Sequence, residues 1–246
     1  MSKKSKAEER AARAAAALAE RKRKERGRNI LTGVAVVVVI ALIVTLGFLF
    51  SRSEDEKNDK AASQESDYGL VIGDADAPHS IIIYEDFLCP VCRALEAATR
   101  ADLADLAADG KVEVEYRPFN LFSSDDDPRK PYSVDAAAAF AVVLDESGAE
   151  VAKEFHDLLY EQQPSEAGPF PGSDFFVDLA VEAGAEESAV RAGIEGGAGE
   201  EWVEGATDAA IDAGVSGTPT ILLDGNQFQD GRTMEELAAN LVAAVD

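Results

Sequence analysis

Phe87-Leu88-Cys89-Pro90-Val91-Cys92 decides how this chain is read, because it holds the only two cysteines, two residues apart. The run before it, Ser80-Ile81-Ile82-Ile83-Tyr84, is β-branched and aromatic and predicts a buried strand. After it, Leu95, Leu103 and Leu106 recur at helical spacing. At about 100° per residue Cys92 falls on their apolar face, while Cys89 sits accessibly at the helix mouth.

A Cys-x-x-Cys at a strand-to-helix turn suits dithiol–disulfide exchange for three reasons. A thiolate at a helix N-terminus gains from the dipole and from unpaired N–H groups, which lowers the Cys89 pKa. Pro90 in the first helical turn sacrifices no needed N–H. Two intervening residues bring the sulfurs within bonding reach, so Cys92 can resolve a mixed disulfide on Cys89. A zinc half-site would want further ligands, and His79 and His156 stand at unsuitable spacings. A purely structural disulfide closing so short a loop would remove little unfolded-state entropy. Redox chemistry is the reading that remains.

The charge is divided along the chain. Residues 1–50 carry 11 Lys/Arg against 4 acids, and the rest carries 12 against 43. The acidic body disfavours nucleic acid or an anionic membrane surface as its ligand. Segment 1–29 is Ala, Lys, Arg and Glu with almost no core-forming residues. Ile30 to Phe50 is uncharged for about 21 residues, enough to cross a bilayer as a helix. Arg21, Lys22, Arg23, Lys24, Arg26 and Arg28 precede it and an acidic stretch follows. The expectation is a single-pass cell-membrane anchor, N-terminus cytoplasmic and C-terminal domain extracytoplasmic, with a cleaved signal peptide as the alternative. Residues 51–67 read as a polar tether. A Cys-x-x-Cys domain outside the membrane lies where protein disulfides are made.

From Tyr68 the globular domain begins, with a short edge strand to Gly73 and a turn over 74–78. Val112–Tyr116 alternates as a strand. Between it and the end, helices are expected over Val134–Leu144, Glu150–Gln163, Ser173–Ala183 (capped by its Ser-Asp pair), Glu186–Ile194 and Glu201–Ala213. Thr220–Asp224 reads as a strand, Asp224-Gly225 as a hairpin turn, Gln227–Gln229 as the returning strand and Met234–Val245 as a closing helix. The apolar residues of Arg117–Phe122 either line a groove for unfolded clients or cover the core.

Two motifs, Cys89-Pro90-Val91-Cys92 and Gly214-Val215-Ser216-Gly217-Thr218-Pro219-Thr220, stand in this order about 125 residues apart. Together they resemble the thioredoxin superfamily, specifically its DsbA-like oxidoreductases of the bacterial envelope. The resemblance implies an α/β thioredoxin-like fold over 68–246, with a helical insertion at about 132–202. It also implies a cis proline at Pro219 facing the dithiol, no metal or organic cofactor, exported cysteine-containing clients, and reoxidation by a membrane quinone-linked partner. Pro90, Val91, Thr218 and Pro219 would shape the site. Val91 departs from the pattern, because strongly oxidising members carry histidine there, and Thr218 occurs in isomerase-like relatives.

Glu85 or Asp86 could relay protons for the buried cysteine, or both could be ordinary surface acids. His156 is expected as a satisfied structural histidine and His79 as a loop residue. The leading expectation is a membrane-anchored thiol–disulfide oxidoreductase that forms disulfides. An isomerase or reductase on the same fold is the alternative, and a tethered binding module with structural cysteines is the third.

Overall fold

The computed structural model describes residues 67–122 and 124–246, all within one compact unit of the chain. The basic segment 1–29, the apolar segment 30–50 and the tether up to 66 lie outside these residues, and the expected anchor with them. Among the described residues, no helix is long and apolar enough to cross a membrane.

Strand β2 (His79–Glu85) is the centre of a five-stranded sheet. It pairs in parallel with β3 (Val112–Pro118) on one side and antiparallel with β4 (Thr220–Leu223) on the other. The short β1 (Leu70–Ile72) closes one edge against β3, and β5 (Asn226–Gln227) closes the other against β4. The β4–β5 hairpin turns through Asp224 and Gly225, both at positive φ, as this two-residue connection requires. His79 opens β2 rather than lying in a loop. Its Nδ1 is 3.0 Å from Asp224 Oδ2, which ties the strand start to the hairpin.

Both faces of β2 are covered, so its run is continuously apolar rather than alternating. Ile81 and Ile83 face the larger core, with α1 (Pro90–Ala108), the long α2 (Lys130–Glu161) and the closing α6 (Met234–Val245). Ile82 and Tyr84 face a smaller cluster with Phe119, Leu222 and the alanines of α5 (Glu200–Asp212). Helices α3 (Ser173–Glu182) and α4 (Glu187–Glu195) pack on α2 and complete a helical insertion between β3 and β4.

The two helices expected over 134–163 form one run, broken at Gly148, whose φ of 82° and ψ of 175° suit glycine alone. Ser173 does not cap α3: Gly172 occupies that position and offers no side chain. Phe119 and Phe122 are buried, so the apolar residues after β3 cover the core rather than line a groove.

Candidate active site

The chain leaves β2 and enters α1 through Asp86–Cys89. Cys89 is the N-cap of α1 in extended backbone and Pro90 takes the first helical turn. Cys92 lies on the face shared by Leu95, Leu103 and Leu106, all buried. The expected contrast in exposure is nevertheless small. Cys89 is only 6% exposed and Cys92 1%, because the Pro219 loop and the insertion close over the helix mouth. Val91, 46% exposed, is the side chain that projects there instead.

What separates the two thiols is their bonding. The Cys89 pKa is lowered to about 6, first by a hydrogen bond from the Cys92 thiol. That bond, Thr218 and the N–H groups of Val91 and Cys92 together outweigh the opposing effect of burial. Cys92 is pushed well up, first by burial and then by Cys89 itself. One sulfur therefore ionises near neutral pH while the other keeps its proton.

Thr218 meets Cys89 from across the domain. Its carbonyl accepts the Cys89 S–H at 3.5 Å, and Thr218–Pro219 is cis, as the resemblance implied. Among the described residues the buried Thr218 hydroxyl has no partner while Cys89 is a thiol, which leaves it available to the thiolate. Thr220 ties the loop back through its hydroxyl to the Gly217 carbonyl at 2.8 Å.

Neither Glu85 nor Asp86 is a surface acid; they are 2% and 0% exposed. Asp86 is a hub. Its carboxylate accepts the Leu88 N–H at 2.7 Å, the Leu121 N–H at 2.9 Å and the Ser133 hydroxyl. It thereby joins the dithiol loop, the exit from β3 and the start of α2. Burial pushes its pKa up to about 6, against the pull of these three donors. Glu85 turns instead to the buried ring of His156, and its charge adds to the upward push on the Cys92 pKa.

Several contributors carry no motif and were missed by sequence reading. Gln163 donates to the carbonyls of Phe87 (2.9 Å) and Cys89 (3.1 Å), bracing the loop from the end of α2. Ser133 and Tyr160 hold Asp86 through its carboxylate and carbonyl. Nothing local signals these pairings; only the fold brings the residues together. Glu96, His156 and Asp157 offer ligand atoms within 4.8 Å of one another and could hold a cation. Lys153 already supplies one, 3.4 Å from Glu96 and hydrogen-bonded to Asp157. A cavity of about 480 Å³ is lined by Asp67, Asp145, Glu146 and Trp202 among others, and none of its lining belongs to the dithiol.

Comparison with known proteins agrees with this geometry. A family model described as Thioredoxin matches residues 65–243. The fold is similar to the reduced disulfide bond oxidoreductase DsbG of Mycobacterium tuberculosis, with a TM-score of 0.63 and 28% identity, covering 76% of this chain and 90% of that one. Reduced DsbA of the same organism gives 0.61 and 27%, over 72% and 90%. Serine/threonine-protein kinase PknE of M. tuberculosis is 27% identical over 159 residues, 62% of this chain but 28% of the kinase. The chain thus spans little more than a quarter of the length of the curated relatives it matches first.

Proposed function

The chain belongs to the thioredoxin family, and from that premise we propose that it is a membrane-anchored thiol–disulfide oxidoreductase that forms disulfides in exported proteins. The observation that carries the reading is Cys89: a thiol at a helix N-cap with a pKa of about 6, facing the Thr218–Pro219 loop.

A client thiolate attacks the Cys89 sulfur of the Cys89–Cys92 disulfide. The bond breaks toward Cys92, which takes a proton. A second client thiolate attacks the mixed disulfide and expels Cys89 as a thiolate. The client gains a disulfide and the domain two electrons and the Cys92 proton; a quinone-linked membrane partner would remove both electrons and that proton, its second proton coming from solvent, where the client thiols released theirs. A low Cys89 pKa favours the reduced form and so makes the disulfide oxidising. The apolar segment 30–50, with its basic flank, supports an anchor that places this domain outside the membrane.

A second reading, isomerase or reductase, is favoured by Val91, whose exposed side chain carries no hydrogen-bond donor for the thiolate. A glutathione titration separates the two. A potential above about −180 mV, with fast oxidation of reduced substrates, supports the oxidase. A potential below about −250 mV, with rescue of scrambled substrates, supports the alternative. A double Cys89→Ala, Cys92→Ala variant that kept function would leave only a binding module.

A further inference from the structure

Arg93 follows Cys92 directly and lies one helical turn beyond Cys89, on the exposed side of α1. Among the described residues, every other lysine and arginine has a carboxylate partner within ion-pair distance. Arg93 has none, in a body where acids outnumber bases more than threefold. The largest stabilising contributions to the Cys89 thiolate come from Cys92, Thr218 and Val91. With so many carboxylates at hand, leaving this guanidinium unpaired keeps a charge free beside the reactive sulfur.

Its surroundings have the shape of a receptor for one side chain. Arg93 lines a cavity of about 240 Å³ with Ala97, Arg100, Tyr160, Glu161 and the buried Glu96. Arg100 is paired with Glu161 at 2.7 Å and Glu96 is satisfied by Lys153, so the unmatched charge in the cavity is positive.

We propose that Arg93 and this cavity form a specificity subsite that receives an acidic side chain close to the reacting cysteine of a polypeptide client. The inference rests on the oxidoreductase reading. An exposed pair of this kind is modest in energy, so it selects among clients rather than enabling the chemistry.

The test measures the rate of reduction of the Cys89–Cys92 disulfide by three cysteine peptides at low salt. They differ only in carrying Glu, Gln or Lys beside the cysteine. Rates are compared as ratios between peptides, so that effects on the sulfur itself cancel. Arg93→Gln should lower the Glu/Gln ratio about threefold, and Arg93→Glu about tenfold while raising the Lys/Gln ratio. Added salt should erase the wild-type preference. Ratios unchanged by both substitutions, with exchange intact, would overturn the subsite alone. Exchange with none of the peptides would overturn the oxidoreductase reading and the subsite with it.

Discussion

His156 Nε2 lies 2.5 Å from Glu85 Oε1, both side chains sealed from solvent. The pair joins the long insertion helix to the central strand directly behind the dithiol. Glu96 on α1, Asp157, Lys153, Phe140 and Tyr160 on α2, Tyr116 on β3 and Phe87 before α1 surround the ring. Burial opposes a charge on the imidazole, but the carboxylates of Glu85 and Glu96 prevail and hold its pKa up at about 9.

The pair makes stability depend on pH with a definite sign. Against an unfolded value of about 6.5, the folded histidine keeps its proton across the window up to about 9. Its contribution is full below about pH 6.5 and is lost as pH rises through 9. His156→Gln should flatten that decline and cost about 3–5 kcal/mol near neutral pH, because Glu85 is left buried without its counter-ion. Urea titrations of both proteins between pH 6 and 10 check the slope and the cost.

Cys92→Ala should do two things at once. Mixed disulfides should accumulate on Cys89, since no resolving thiol remains, whereas Cys89→Ala should trap few or none. The midpoint of Cys89 alkylation should also rise above its value of about 6, because the Cys92 thiol is the first contributor to that low value. Iodoacetamide rates against pH read the second effect, and non-reducing gels after acid quenching read the first. Equal trapping by both variants would contradict the assigned roles.

Val91→His should make the domain more oxidising. The side chain projects into solvent in the first turn of α1, where an imidazole N–H can reach the thiolate without repacking. A shift of about 30 mV toward oxidising values corresponds to about 1.4 kcal/mol. An unchanged or more negative potential in the glutathione titration would refute it.

Gln163→Ala should loosen the dithiol loop. The buried Phe87 carbonyl would lose its donor at a cost of about 1–3 kcal/mol if no water replaces it, while the Cys89 carbonyl keeps the Arg93 N–H. Stability by denaturant titration should fall, with faster amide exchange confined to residues 87–92. Exchange unchanged in that loop would assign Gln163 a merely local role.

Much of this was legible in the residues themselves. The run 80–84, the thiol pair at a helix start and the 234–245 helix are local patterns, and they appear where those patterns put them. The Glu85–His156 contact joins residues 71 positions apart, and Gln163 reaches back 76 to Phe87. No periodicity encodes such pairings; they exist once the insertion docks. The burial of Cys89 belongs to the same class, because a helix mouth is open until the Pro219 loop covers it.

The break at Gly148 gives the long α2 two separate attachments. Upstream of it, Ser133 holds Asp86; downstream, His156 holds Glu85. Each half of the helix thus carries its own anchor to consecutive residues, the last of β2 and the first beyond it, and the join between them lies exposed. For protein engineering this is a natural seam. New chain ends, or an inserted reporter domain, placed at 147–149 would interrupt no helical residue that either anchor uses.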